Sequence, residues 1–195
     1  MGNTRTTDPA AAGMHSEPSF RIEVANSSWK LSGYFQVRKE VFVNEQEIYS
    51  VTDLDDHDGD AIPLVAIMNE RVVGAVRCYR KSGTLWYGGR LAVLPEYRIY
   101  NIGAMLVRKA VEVMSCHPEA DRFLATVQIQ NVRFFKRLGW FPLGHPIMLV
   151  GVKHQVMEHL LGREPATVRH SVDGEKTTKV RVEDHEHSTA KCQCH

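Results

Sequence analysis

The chain has 195 residues, enough for one domain of ordinary size whose core needs no disulfide or metal staple. Its 24 lysines and arginines against 23 aspartates and glutamates leave a formal charge of +1, which argues against a dedicated nucleic-acid binder. No run of about eighteen apolar residues is present to span a membrane, the opening segment has no apolar signal stretch, and Cys78, Cys116, Cys192 and Cys194 make no disulfide framework, so a reducing cytoplasm is the expected setting.

Residues 1–17 are rich in Ala, Thr, Ser and Pro without a period and read as disordered. Residues 18–161 then alternate strand and helix patterns. FRIEV (Phe20–Val24) alternates as a strand. SSWKLSGYFQVRKEVFVNEQ reads as a helix capped by Ser27 or Ser28, with Leu31, Phe35, Arg38, Val41 and Phe42 near helical spacing and Gly33 weakening its first turn. The acidic loop DLDDHDGD follows; its spacing fails the calcium-loop template, it could attract a cationic amine or pair with Arg77, and a solvated loop is the common fate of such runs. AIPLVAIM and RVVGAVRCY flank the turn NER as a hairpin, and TLWYGGRLAVL is the next strand. PEYRIYNIGAML leads into a helix from about Asn101 to Met114 whose apolar face is Leu106, Val107, Ala110, Val111 and Met114. RFLATVQI is a strand, NVRFFKRLG a short helix ended by Gly139, and WFPL and IMLVGV are the last strands. Residues 162–195 return to a polar, disordered-looking composition; the final EDHEHSTAKCQCH has His and Cys at no standard zinc spacing, so no metal site is expected.

This order predicts an α/β (α+β) domain around one mixed sheet of about six to seven strands flanked by helices, with Leu85 to Ile129 forming a right-handed crossover between parallel strands. The loop before the second long helix carries the chemistry. A helix N-terminus offers exposed N–H donors and the positive end of a dipole; Arg98 adds a cation, Gly103 permits close backbone approach, and Asn101 tolerates a left-handed backbone. That combination suits an anion. Gly88-Gly89 inside a strand marks a bulge or the close approach of another chain.

GGRLAVLPEYRIYNIGAMLVRKAVEVM resembles the cofactor-binding segment of the GCN5-related N-acetyltransferases (GNAT), with Arg98, Asn101 and Gly103 at the three motif positions and Asn101 departing from the first glycine. Asn131, Gly139 and Trp140 echo the family's later Asn…Gly-Phe ending. RKEVFVNEQ and GVKHQVM look like the ElaA-type subgroup, and FLATVQIQNVRFFKRLGW with KHQVMEHLL is similar to acetyltransferases associated with nitrogen starvation and nitrilase gene clusters. The resemblance implies an N-acyltransferase that moves an acetyl (acyl) group from acetyl-CoA to an amine of a small-molecule or peptide acceptor by direct attack in a ternary complex, with a homodimer left open. It implies that backbone from Arg98 through Ile99, Tyr100, Asn101, Ile102 and Gly103 to Ala104 holds the pyrophosphate of coenzyme A. Leu91, Ala92 and Val93 would lie beside the pantetheine arm, and Asn131, Phe134 and Phe135 near the cofactor. Phe135 stands where many members have the Tyr that protonates the departing thiolate, so the usual general acid is missing.

Candidate bases are Glu45, Glu47, Asp55 and His154. Glu45 and His154 rank first: Glu45 because its turn borders the acceptor cleft in this fold, His154 because imidazole suits proton transfer near neutrality. Arg38, Asp55 and Arg77 are candidates on the acceptor side. With Phe42, Asp53 and Asp58 they also resemble the N-terminal pattern of acyl-homoserine-lactone synthases, a rival that uses acyl carriers and S-adenosylmethionine. A non-catalytic acyl-CoA sensor is the rival from another class.

Overall fold

The computed structural model describes residues 20–162. Residues 1–17 and 163–195 of the segments expected to be disordered, and Pro18 and Ser19 of the expected domain, lie outside the described residues, whereas Gly162, assigned to the tail, is described. Seven strands form one sheet in the order β1-β2-β3-β4-β5-β7-β6. They are β1 (Phe20–Val24), β2 (Ile62–Met68), β3 (Arg71–Ser82), β4 (Leu85–Val93), β5 (Arg122–Gln128), β6 (Phe141–Leu149) and β7 (Val152–His159). Helix α1 (Ser28–Lys39) continues into a π-helical turn, Glu40–Glu45; α2 (Ile102–Cys116) joins β4 to β5; α3 (Val132–Arg137) precedes β6. The β4–β5 pair is parallel and the other neighbours are antiparallel.

The sheet has a buried layer on each face, and alternation along the strands assigns residues to them. In β2, Leu64, Ala66 and Met68 join the core beneath α2, while Val65 and Ile67 join the core beneath α1. Burial on both faces is why AIPLVAIM is a continuous apolar run rather than an alternating one. Ile102, Leu106, Val107, Ala110 and Met114 turn the apolar stripe of α2 onto its core, as the spacing predicted, with Val111 only half-buried.

Helix α1 departs from expectation. Its buried residues are Tyr34, Val37 and Arg38, continued by Val41 and Phe42 in the π turn, whereas Leu31 and Phe35 are exposed. Ser27 stands at the N-cap position without a side-chain capping bond. Gly33 has a packing role: an added Cβ would lie 2.5 Å from Cγ2 of Val72, so the missing side chain lets α1 sit against β3. At the far edge, WFPL and IMLVGV are not separate strands. β6 takes in FPL and IML, interrupted by an irregularity between Leu143 and Ile147, and the final strand is β7, which begins at Val152 and is not among the strands expected from the sequence.

An ionic network fastens the loop after α1 to the sheet. Arg38 is completely buried. Its Nε donates to Asp53 (2.8 Å), and its terminal nitrogens donate to the Tyr34 hydroxyl (2.7 Å) and to both oxygens of Asp58 (2.5 and 3.0 Å). Arg77 on β3 donates to both oxygens of Asp55 (2.8 and 2.5 Å) and reaches Asp58 at 2.7 Å. Arg90 on β4 donates to the Asp53 carbonyl (2.8 and 3.0 Å) and to Asp55 (2.9 Å). The acidic loop is thus not a solvated run: its Asp53, Asp55 and Asp58 neutralise three arginines. Burial works against charge at Asp58, but donors from Arg38, the Asp55 amide and Arg77 outweigh it and hold the carboxyl well below the usual carboxylate range; Asp55 is lowered in the same sense, with Arg77 the main opponent of its burial.

Removing one partner of such a network strands buried opposite charge. Arg38→Met should cost about 3–5 kcal/mol in urea denaturation, and a loss below about 1 kcal/mol would show that the network does not hold the loop. Because the Asp55 and Asp58 pKa values are lower folded than unfolded, their stabilising contribution is complete above the ordinary carboxylate range, near pH 4. It should drain away as pH falls further. Denaturation curves stepped from pH 7 to 2 test this; unchanged stability below pH 4 would contradict it.

Candidate active site

The site begins where the sheet comes apart. β3 and β4 pair Arg77 with Gly89 and Ala75 with Ala92, so Val76 alone faces Arg90 and Leu91. This two-against-one count is a β-bulge, and Arg90 takes a positive φ of 55° within it. On the other side, β4 pairs with β5 only from Leu85–Gly88 against Arg122–Ala125. Beyond that point β5 stays bonded to β7 as far as Gln128 opposite His154, while β4 diverges. The Gly88-Gly89 pair in the sequence marks this junction. A wedge opens between Gly89–Val93 and Thr126–Gln128.

One side of the wedge is a cleft of about 640 Å³, lined by Leu91, Ala92, Val93, Arg98, Asn101, Gly103, Ala104, Asn131 and Phe134 among others. The sequence-predicted donor residues therefore converge. Pro95–Tyr100 winds as a 3-10 turn, and Asn101 adopts the left-handed conformation (φ 58°, ψ 21°) that starts α2. Asparagine accepts this conformation more readily than most residues, which accounts physically for its presence in place of glycine. An added Cβ on Gly103 would meet only Phe134 and Val93, at 3.8 and 3.9 Å. The protein itself does not require glycine there, so a glycine requirement would have to come from a molecule in the cleft. Ile99 and Tyr100 are exposed and do not line the cleft. Arg98 donates to Glu45 through both terminal nitrogens (2.7 and 2.5 Å) and to the Val93 carbonyl through Nε (3.0 Å). The Arg98 hydrogen bond holds the Glu45 carboxyl below its usual range despite slight burial, which makes Glu45 a poorer base.

The wedge also opens into a chamber of about 360 Å³ that shares Ile48, Leu91, Gln128 and Asn131 with the cleft. Strand alternation separates its two faces. Val76 and Cys78 on β3, Phe123, Ala125 and Val127 on β5, and Met157 on β7 belong to the α2-side core. Arg77, Tyr79, Thr126, Gln128 and His154 alternate with them and line the α1 side. There they meet Tyr49 and Asp55 from the loop. His154 lies within β7, not after the last strand as its sequence context suggested. Its Nδ1 is 2.8 Å from the Val152 carbonyl; with the proton on Nδ1 this is a donated bond that leaves Nε2 as a free lone pair.

Other candidates change character. Arg38 lies beneath the chamber, fully buried, and cannot touch an acceptor; Arg77 is nearly as buried and paired to Asp55 and Asp58. Asp55 alone of these three is partly exposed, with both oxygens engaged. Phe135 is buried edge-on to Trp140, ring centres 5.4 Å apart, so it faces the chamber and not the donor cleft. Sequence reasoning missed Arg90, Tyr49 and Tyr79. Arg90 sits over the Tyr49 ring at 5.0 Å, and Tyr79 stacks on His57 at 4.2 Å. Burial pushes the Tyr79 phenol up. Only Arg90 had a signal, the adjacent glycine pair.

Comparison with known proteins gives a consistent account. The sequence model of the acetyltransferase (GNAT) family matches residues 28–140. An uncharacterised N-acetyltransferase of Bacillus subtilis, YjcF, is 31% identical over 137 residues, covering 69% of this chain and 95% of the relative. The crystal structure of Escherichia coli ElaA aligns with a TM-score of 0.63 at 22% identity, covering 73% of this chain and 99% of that one. BjaI, a coenzyme-A-dependent acyl-homoserine lactone synthase, aligns with a TM-score of 0.57 at 20% identity, covering 68% and 76%. At such identities these two structures speak to the fold alone. With its wedge-split mixed sheet, the match over residues 28–140 and the 31% identical relative, the chain belongs to the acetyltransferase (GNAT) family.

Proposed function

We propose that the protein transfers an acyl group from an acyl-CoA, acetyl-CoA in the simplest case, to the amine of a small molecule by direct attack within a ternary complex. The observation that carries this reading is the convergence of a helix N-terminus, Arg98 and an unpaired strand edge on one cleft. The pyrophosphate would lie on the backbone between Arg98 and Ala104, and the pantetheine arm along Leu91–Val93 as an added strand. Coenzyme A supplies the activated thioester; the rest falls to the chain.

The amine would enter from the α1 side of the chamber, past Tyr49, Asp55 and Tyr79. His154 Nε2 takes its proton, either directly or through a water, and the nitrogen attacks the thioester carbonyl. The C–N bond forms as the C–S bond breaks. A backbone N–H at Leu91 or Ala92 would stabilise the oxyanion. The thiolate, with a reference pKa of about 8.5, takes a proton from water, because Phe135 has none to give. His154 is preferred to Glu45 because its lone pair borders the chamber, whereas the Glu45 carboxylate is held by Arg98.

A second reading, an acyltransferase like the acyl-homoserine-lactone synthases, draws on the gathering of Arg38, Asp53, Asp55, Asp58 and Arg77 in one network. Lactone release from S-adenosylmethionine would favour it. Calorimetric titration with acetyl-CoA and with free coenzyme A tests the donor, and thiol release across an amine panel tests transfer. No binding of either would sink the proposal; binding without turnover on any amine would favour the sensor.

Gly103→Ala should leave the melting temperature unchanged or slightly raised, yet weaken coenzyme A binding about tenfold, the mark of a glycine kept for a ligand. Arg98→Ala should weaken coenzyme A several-fold through a lost phosphate contact; equal affinity would remove Arg98 from the donor site. His154→Gln should lower kcat roughly 10²–10⁴-fold with coenzyme A affinity unchanged. An unaltered kcat would exclude His154 as the base.

A further inference from the structure

The chamber is larger and more apolar than an acetyl group needs. Its α2-side wall is formed by Val107 and Ala110 of α2, Phe123 of β5, Phe135 of α3 and Trp140. None of these side chains is titratable, and all belong to the α2-side core. Every titratable group named above as lining the chamber, among them Arg77, Tyr79 and His154, lies on the α1 side. The two faces meet at the wedge between β4 and β5, where the chamber joins the donor cleft at Leu91, Gln128 and Asn131. A thioester carbonyl at this junction would have polar groups on one side and, on the other, an apolar wall whose one polar atom is the indole Nε1 of Trp140, buried without a hydrogen-bond partner among the described residues.

We propose that the α2-side wall is an acyl-chain subsite, and that the preferred donor carries a saturated acyl chain of about four to eight carbons. The inference rests on the donor assignment above and extends it. At roughly 30 Å³ per water-sized group, a 360 Å³ chamber holds about a dozen such groups, to be divided between chain and acceptor. A protonated amine would desolvate against this wall without an acceptor, since the Trp140 indole N–H only donates, while each methylene placed there gains by leaving water. Position therefore divides the two substrates: the chain goes inward to α2, the nitrogen stays on the α1 side with His154. Phe135 fits this division. A phenol at that place would set a hydroxyl against the chain, whereas the phenyl ring completes the wall. The chain is a spectator in the transfer itself; the same C–N bond forms and the same C–S bond breaks.

The test is calorimetric titration of the full chain with free coenzyme A and its acetyl, hexanoyl and palmitoyl thioesters. Hexanoyl-CoA should bind at least about tenfold tighter than acetyl-CoA, a modest part of what its added methylenes would yield if wholly buried. Affinity should stop rising or fall at palmitoyl-CoA, because the chamber is bounded. Hexanoyl-CoA binding no tighter than acetyl-CoA, with free coenzyme A still bound, would overturn the subsite and leave the donor assignment standing. Failure of all four to bind would overturn both. A steady rise through palmitoyl-CoA would also overturn the subsite, as it signals adsorption on a surface. Ala110→Leu fills the wall and should bring the hexanoyl-to-acetyl affinity ratio close to one, with free coenzyme A binding reporting that the variant is folded. A wild-type ratio in a folded Ala110→Leu protein would place the chain elsewhere.

Discussion

Beyond Gly88 and Ala125, β4 and β5 stop exchanging backbone hydrogen bonds, although each remains bonded on its other side. Unpaired backbone groups are costly in a dry interior, so a split of this kind persists only if water or a ligand can reach the free edges. The cleft beside α2, the chamber and the route between them all follow from that split. The bulge at Arg90–Leu91 lies on β4 just beyond its last pairing with β5, and Asn101 and Gly103 at the start of α2 line the cleft. A fully paired β4–β5 ladder would have produced an ordinary twisted sheet with no room for a thioester.

The proposed chemistry is correspondingly sparing. In this reading the chain supplies backbone donors for two anions, the pyrophosphate and the developing oxyanion, and one imidazole for the amine proton. It supplies no acid for the thiolate at the position where the resemblance led one to look, because the phenyl ring of Phe135, packed edge-on to Trp140, has no ionisable proton. A thiol is acidic enough to leave near neutrality without help, so this absence is chemically tolerable. The Arg98–Glu45 pair bears on the donor side instead. A phosphate that wins Arg98 must compete with a carboxylate already making two hydrogen bonds to it, and its departure would release Glu45 from the contact that depresses its pKa.

Much of this architecture was legible in the sequence. The elements around the parallel crossover follow from periodicity, and the donor loop from Arg98, Asn101 and Gly103, which the fold brings to one cleft. What was not legible depended on register or on contacts distant in sequence. The apolar face of α1 was misjudged because the buried stripe, Tyr34, Val37, Arg38, Val41 and Phe42, keeps helical spacing but includes Tyr34 and Arg38, which the ionic network draws inward while Leu31 and Phe35 stay outside. β6 looked like two strands because Gly144, His145 and Pro146 break its pattern, although both parts pair with β7. Arg38, Asp55 and Arg77 are acceptor-side candidates from the sequence, whereas in the fold they belong to one ionic network in which they are held by other protein groups. The chamber had no local signature, since its wall is assembled from α2, β5 and α3, each an ordinary core element by itself.

The arginine–aspartate network has a further consequence, for the kinetics of the fold. It joins positions from Tyr34 to Arg90, drawn from α1, the following loop, β3 and β4. None of its buried charges can be desolvated favourably until all of these elements are in place, so it should close late in folding. Interactions absent from a folding transition state act on the return journey: they slow unfolding and leave folding speed nearly untouched. On that argument the network acts as a latch. Weakening it would shorten the lifetime of the folded domain while hardly delaying its formation, and a chevron plot would show the change in the unfolding limb alone.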